Sequence, residues 1–102
     1  MNNPPNNTII IRHPTRLRKS DLAEMLEYKR SDHMTSFMEA EILPVLKWKL
    51  KQYKKITLFT KVQTKQILTI LFQLEFLTQE AIDLVVKNNA LTQLGQTTIT
   101  IE

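Results

Sequence analysis

The sequence predicts a mostly α-helical protein, a compact helical bundle with short β segments at its two ends. Apolar residues recur at three- and four-residue spacing through the middle of the 102-residue chain, as they do along one face of a helix. β-branched runs occur at residues 8–12 and 97–101, and they could pair with each other or with a second copy of the chain. The single glycine excludes both the many turns of a β-sandwich and a Gly-rich phosphate loop.

The composition also limits the chemistry. A chain of this length suits a single domain, which we place at residues 8–102. The absence of cysteine excludes thiolate zinc sites, iron–sulfur clusters and disulfide scaffolds. No nucleophile stands beside a base and an orienting group, and His13 and His33 lack the spacing of metal ligands. We therefore expect a non-enzymatic protein without a metal or cofactor, in which each histidine is exposed or locally hydrogen-bonded.

Two segments bear on localisation. Residues 1–7, mostly Asn and Pro, lack the basic and apolar regions of a secretory signal, and we expect them to be a disordered tail. The most apolar stretch, residues 67–77, is much shorter than the roughly 20 residues that a membrane-spanning helix needs. We therefore expect a soluble, cytoplasmic protein.

The first two helices are predicted between residues 20 and 43. Ser20 or Asp21 begins the first helix, and Asp21 has capping-box spacing to Glu24. The second helix covers about residues 31–42. Its apolar positions follow helical spacing and are Met34, Phe37, Met38 and Ile42.

A basic helix is predicted over residues 44–55. Pro44 ends the preceding helix and fits the first turn of this one. Lys47, Lys51 and Lys54 are spaced so that they share one face of a continuous helix, which Lys55 extends. Trp48 lies away from the apolar Leu46 and Leu50, where we expect it to pack in the core or at an interface.

The C-terminal helices are predicted within residues 60–92. Residues 56–59 could form a strand, a small wing or a connector before them. Thr60 and Gln63 have capping-box spacing at the start of a helix that reaches about residue 76, and Thr78 caps the last helix. The longer helix is apolar on more than one face. It is either the central helix or part of a homodimer interface with the last helix and residues 97–101.

The charge is distributed unevenly along the chain. Residues 12–65 carry 13 Lys and Arg against six Asp and Glu, whereas residues 66–102 carry one Lys against four acids. A basic first part indicates a polyanionic partner, and Arg12, Arg16, Arg18 and Lys19 form a basic group before the first helix. The alternative is a solvated lysine face whose aliphatic stems cover the core.

Residues 18–37 resemble the helix-turn-helix unit of small bacterial and phage DNA-binding proteins. Leu22, Ala23 and Leu26 match the first helix, where the family has an alanine because the second helix crosses close to it. Tyr28 matches the apolar position after the turn, and Glu27 stands where the family usually has glycine. A turn one residue longer than usual buries the apolar residues of the second helix. The basic segment 47–55 and the start of a helix at Thr60 follow as in the family's outline.

The resemblance implies that the chain contains a helix-turn-helix at about residues 20–43 and binds double-stranded DNA, as a regulator of transcription or of a mobile element. Arg30 is the strongest candidate for contacting guanine. The second helix also carries Asp32, Glu39 and Glu41, which would repel phosphates if they faced them, although Asp32 could instead favour the N-terminal end of its own helix through the helix dipole. The candidate DNA-binding residues are Arg12, Arg16, Arg18, Lys19, Arg30, Ser31, His33, Thr35, Ser36, Lys47, Lys51, Lys54 and Lys55. The alternatives are RNA binding by the same surface, and a phage or plasmid adaptor that binds a host protein without nucleic acid.

Overall fold

The computed structural model describes residues 8–100, which form five helices and a two-stranded antiparallel sheet. Strand β1, Thr8–Pro14, pairs along its whole length with strand β2, Leu94–Thr100. The chain is mostly α-helical, as the sequence predicts, and its terminal β segments pair with each other, which is one of the two pairings that the sequence leaves open. The predicted tail at residues 1–7 lies outside the described residues.

The helices follow β1 in sequence order. Helix α1 is Lys19–Met25. The second helix consists of three consecutive parts, which are α2 at Ser31–Phe37, a π-helical turn at Met38–Ile42 and α3 at Leu43–Leu46. The remaining helices are α4 at Leu50–Lys55, α5 at Lys61–Gln73 and α6 at Gln79–Asn88.

The π-helical turn lies directly before Pro44. Proline lacks an N–H, and its ring clashes with the carbonyl four residues earlier in a regular α-helix. Here the N–H of Leu43 bonds to the carbonyl of Met38, five residues back, so that the hydrogen-bond ladder shifts just before the proline. Pro44 lies in the first turn of α3, as predicted, but it does not end the second helix, because the π-helical turn carries that helix on to Leu46.

The basic helix predicted over residues 44–55 is two helices. Lys47 has a φ of 59°, in the left-handed region, and the N–H of Trp48 closes α3 by bonding to the carbonyl of Leu43 at 3.1 Å. Helix α4 begins only at Leu50. Lys47 therefore belongs to a different helix from Lys51 and Lys54, and the three lysines do not share one helix face.

Four helices end at a left-handed residue that is not glycine. These residues are Glu27, Lys47, Glu75 and Ala90. After each, the next residue donates its N–H to the carbonyl five residues earlier, as Tyr28 does to Ala23 and Phe76 to Leu71, both at 2.8 Å. This is the Schellman pattern, which usually has glycine at the left-handed position. In three of the four, the left-handed residue is charged, follows leucine and precedes an aromatic residue.

The aromatic residues after these turns join the helix ends together. The ring centroid of Phe37 lies 5.4 Å from that of Tyr28 and 4.9 Å from that of Phe76. Trp48 is half-buried and stacks on Phe59 with centroids 6.4 Å apart. A left-handed residue with a Cβ costs about 1 kcal/mol. The aromatic contacts and the backbone hydrogen bonds offset that cost.

The core surrounds α5, as in the first of the two alternatives that the sequence leaves open for this helix. The inward residues of α5 are Thr64, Ile67, Leu68, Leu71 and Phe72. The sheet packs against helices α5 and α6, and its residues Ile11 and Ile99 are buried. The hydroxyl of Thr64 is buried and accepts the N–H of Leu17 at 3.0 Å. Helix α5 is therefore the central helix, and most of its apolar surface is buried within the chain.

Two of the three predicted helix caps are confirmed. Thr60 and Gln63 form a reciprocal capping box at 3.0 and 3.1 Å, and the Thr78 hydroxyl accepts the N–H of Ala81. The capping box between Asp21 and Glu24 is wrong, because α1 begins at Lys19 and both carboxylates lie inside it. They accept hydrogen bonds from the Asn89 side-chain amide at 3.0 and 3.2 Å, which ties α1 to the end of α6.

His13 lies on β1, and its side chain is buried and locally hydrogen-bonded. Its Nδ1 lies 2.7 Å from the carbonyl oxygen of Pro14, and its Nε2 lies 2.7 Å from the hydroxyl of Thr97. Because a carbonyl only accepts, the network assigns the proton to Nδ1, and Nε2 accepts from Thr97. Burial lowers the pKa of His13, and the nearby charge of Lys65 lowers it further, against the opposing effect of the Pro14 carbonyl.

We expect glycine at the left-handed positions to stabilise the protein. Glu27→Gly and Glu75→Gly should each raise the free energy of unfolding by about 0.5–1 kcal/mol, because they remove the Cβ strain. Urea denaturation measures the change. The control is Gly95→Ala, since Gly95 has no positive φ and an added Cβ would meet its nearest neighbour at 3.8 Å. If both glycine variants destabilised the protein, the claim that a Cβ strains the backbone at these positions would be contradicted.

We expect the stability to fall as the pH drops from 7 to 5. The unfolded chain binds a proton on His13 near the ordinary pKa of 6.5, whereas the folded protein resists it, so protonation favours unfolding. His13→Gln should flatten the pH dependence in this window, as measured by urea denaturation at each pH. His33→Gln, at an exposed position, is the control and should keep the wild-type profile. If His13→Gln left the pH dependence of stability unchanged, the assignment of that dependence to His13 would be refuted.

Candidate nucleic-acid interface

The segment before α1 runs antiparallel to the connector between α4 and α5. Arg18 and Leu58 form an isolated β-bridge. On either side of it, the N–H of Lys19 donates to the carbonyl of Thr57 at 3.1 Å, and the N–H of Phe59 donates to the carbonyl of Leu17 at 2.8 Å. Of the three structures that the sequence leaves open for residues 56–59, the chain adopts an extended connector held by this bridge.

The bridge brings together the two basic groups that the sequence shows separately. One group precedes α1, and the other ends α4 just before the connector. The basic side chains of both groups are exposed, except that of Lys19, which is half-buried. The Nε of Arg16 donates to the carbonyl of Phe59 at 2.9 Å and so orients its guanidinium. We define this cationic surface as Arg16, Arg18, Lys19, Lys54 and Lys55.

The positive charge of the cationic surface is not neutralised by the part of the chain that the structure describes. The sequence has no acidic residue from 42 to 74, a stretch that contains seven lysines. Between residues 8 and 100 the one ion pair within 4 Å joins Arg30 to Asp32, outside this surface. Asp21 is close in sequence, but it is buried and accepts from Asn89. Such a surface has a strong electrostatic attraction for phosphates.

Lys19 is held in place on this surface by an aromatic ring. Its Nζ lies 4.0 Å from the centroid of the Tyr53 ring, which is cation–π geometry. Burial lowers the pKa of Lys19 and raises the pKa of Tyr53 to about 12, so the tyrosine stays neutral. Lys19 is thus a positioned cation, in contrast to the flexible Lys54 and Lys55 stems.

Several predicted base-contacting residues lie at the start of α2. The exposed side chains are Ser31, His33 and Ser36. Thr35 is half-buried, and its hydroxyl donates to the carbonyl of Ser31 at 2.8 Å, so it points back along its own helix. The three exposed side chains can contact a partner, whereas the hydroxyl of Thr35 already donates its hydrogen bond within the helix.

Arg30 is engaged in an ion pair. Its Nε and one terminal nitrogen donate to the two carboxylate oxygens of Asp32 at 3.0 and 2.8 Å. These hydrogen bonds hold the pKa of Asp32 below its ordinary value. The side chains are 67% and 61% exposed, so the pair contributes little stability and can exchange for another anion.

The remaining predicted residues lie outside the cationic surface or at its margin. Arg12 is on β1, where its backbone N–H and carbonyl bond to the side-chain amide of Gln79 at 3.0 and 2.7 Å. Lys47 is at the end of α3, and Lys51 shares α4 with Lys54 and Lys55. The sequence therefore identified the members of the cationic surface but not the bridge that assembles them.

Three further observations concern the nature of the site. Within residues 8–100 there is no group of three or more His, Cys, Asp and Glu side chains that could hold a metal ion. No helix in that range combines the length and the apolar character needed to cross a bilayer. Comparisons with protein-family models, with curated proteins and with solved structures find no match to the chain. The functional assignment therefore rests on the residues of this chain.

Proposed function

We propose that this protein binds double-stranded DNA in the cytoplasm as a small, non-enzymatic regulator of transcription or of a mobile element. The observation that carries the proposal is the cationic surface, where the bridge between Arg18 and Leu58 joins two basic segments without acidic partners among the described residues. Cations arranged in this way bind phosphates and release the counterions condensed on DNA. They position the protein on the backbone and carry no sequence information.

The start of α2 supplies the proposed contacts to bases. Glu27 has a φ of 61°, at the position where the helix-turn-helix proteins that this segment resembles usually have glycine, and this supports a turn of that kind. Ser31, His33 and Ser36 are exposed donors and acceptors beyond the turn. Arg30 joins them once its pair with Asp32 opens. The acidic Glu39 and Glu41 lie in the π-helical turn, where Glu39 is about 12 Å along the helix axis from Ser31 but only about 4.5 Å from Ser36.

A homodimer would let two copies read paired half-sites. Because β2 pairs with β1 and α5 is central, most of the apolar surface that predicts a dimer is buried within one chain. The exposed apolar residues that remain on the C-terminal helices include Leu74 and Phe76, at the turn after α5, 44% and 42% exposed. We place the proposed dimer contact there. A monomer by light scattering at high concentration would exclude it.

We expect DNA affinity to depend steeply on salt. Five cations that each neutralise a phosphate give a slope of about −4.5 in log K against log salt, or roughly a 500-fold loss between 50 and 200 mM. Arg18→Glu with Lys55→Glu should weaken binding at least tenfold and make the slope shallower by about 2. Fluorescence anisotropy with a random-sequence duplex of about 20 base pairs measures both.

The matched control for this charge reversal is Lys49→Glu with Lys87→Glu, which changes the net charge equally outside the cationic surface. Equal losses of affinity in the two double variants would show that net charge alone attracts DNA, and would refute the placement of the DNA contact on the cationic surface. No binding by the wild-type protein at 50 mM salt would refute the DNA proposal and favour the adaptor. Stronger competition by single-stranded or duplex RNA than by DNA would favour an RNA partner.

We expect Asp32→Asn to strengthen DNA binding about threefold, because it removes a repulsive charge near the phosphates and releases Arg30 from its ion pair. The same anisotropy titration measures the effect. Glu80→Gln is the matched control, since Glu80 is also an acidic residue in the first turn of its helix, α6, and loses the same charge. Equal effects of the two variants would show that α2 does not face DNA.

A further inference from the structure

An open apolar groove lies between α1, α2 and α6. Its floor includes Ala23, Met34, Tyr53 and Val85, of which the last three are almost fully buried. Leu84 also lines the groove and is 58% exposed, although it is a large apolar side chain. The cavity volume of about 780 Å³ is in the range that accommodates a small organic ligand.

The groove follows from how the helix ends are fixed. Asn89 bonds to Asp21 and Glu24, so the end of α6 is held against α1. At Glu27 the chain turns sharply and α2 leaves α1. The space between the diverging helices has a closed floor and an open top. Because Leu84 lies on that open side, the groove leaves apolar surface in contact with water.

The charged groups that line the groove are unevenly partnered. The carboxylate of Glu24 accepts from Asn89, and the guanidinium of Arg30 is paired with Asp32. Lys29 and Glu27 are exposed at the turn. Lys19 differs from all of these, because it is a half-buried residue whose ammonium lies on the Tyr53 ring and has no carboxylate within 4 Å among the described residues. Burial lowers the pKa of Lys19, since the ammonium has lost hydrating water.

A partly desolvated cation beside an apolar cavity is complementary to a specific kind of ligand. A carboxylate at Lys19 would form a charge-assisted hydrogen bond with an ammonium that has already lost part of its hydration. An apolar body extending from it would cover Met34 and Leu84 and remove their surface from water, at about 25 cal/mol for each Å². A neutral or cationic head group would lack the first of these interactions.

We propose that this groove binds a small amphiphile that carries one carboxylate, with the carboxylate at Lys19 and the apolar body between α2 and α6. The groove shares Lys19 with the cationic surface, and it shares Arg30 and Ser31 with the proposed contacts to bases. Its test therefore contains no nucleic acid, so that the two proposals can fail independently.

The test uses dodecanoate as the probe, below its micellar concentration, with the full chain. Isothermal titration calorimetry compares it with dodecanol and dodecyltrimethylammonium, which have the same chain length and a neutral or positive head. We expect dodecanoate to bind at least tenfold more tightly than either. In ¹⁵N-labelled protein, the amide resonances of Ala23, Leu84 and Asn88 should shift on binding. Equal affinity for the cationic probe, or no binding of dodecanoate, would overturn the proposal.

Two variants separate the head-group contact from the apolar contact. Lys19→Gln should reduce the affinity for dodecanoate to that for dodecanol, and Leu84→Asp should weaken dodecanoate at least tenfold. The matched control for the second is Val62→Asp, because Val62 is a 65% exposed apolar residue on α5, outside the groove. Circular dichroism verifies that each variant folds. Unchanged affinity in Leu84→Asp, or equal losses in Leu84→Asp and Val62→Asp, would place the probe elsewhere.

Discussion

The helices of this protein have to end almost without glycine, and much of the structure depends on how they do so. Glu27, Lys47, Glu75 and Ala90 adopt a left-handed conformation that a Cβ disfavours. The following residue offsets the cost by reaching back to a carbonyl near the end of its helix and by packing its side chain. Each helix end is thereby coupled to a tertiary contact, most clearly where Phe37 lies between the aromatic residues of two turns.

The break at Lys47 determines where the positive charge lies. In a continuous helix over residues 44–55, the lysines would form one stripe along the helix face. The left-handed residue instead ends α3 and lets α4 begin in a new direction, so that Lys54 and Lys55 lead into the connector that pairs with residues 17–19. The cationic surface is therefore made by a backbone bridge between segments 40 residues apart, Arg18 and Leu58, rather than by helical periodicity.

Local signals in the sequence predicted the helices and strands well, but they predicted the tertiary contacts between these elements less well. Thr60 and Thr78 cap their helices because a cap depends on residues within one turn. Asp21 and Glu24 have the same spacing as Thr60 and Gln63, but the amide of Asn89, 68 residues beyond Asp21, takes both carboxylates. The break at Lys47 did leave a local signal, because leucine, a charged residue and an aromatic residue occur in that order at three helix ends. The bridge between Arg18 and Leu58 left no local signal in the sequence, because it depends on the packing of the whole chain.

The turn at Glu27 connects the two proposed activities through Lys19. By directing α2 away from α1, this turn exposes the start of α2 and also opens the groove. Lys19 begins α1 at the edge of both surfaces, and a phosphate and a carboxylate would compete for its single positive charge. Thermodynamic linkage then requires that an acid in the groove and DNA on the cationic surface weaken each other to the same extent. Lys19 is one of the five proposed phosphate contacts, so its share of this coupling is a loss of about 0.9 in the salt slope. Arg30 and Ser31 add to the coupling, because they line the groove and are also proposed to contact bases.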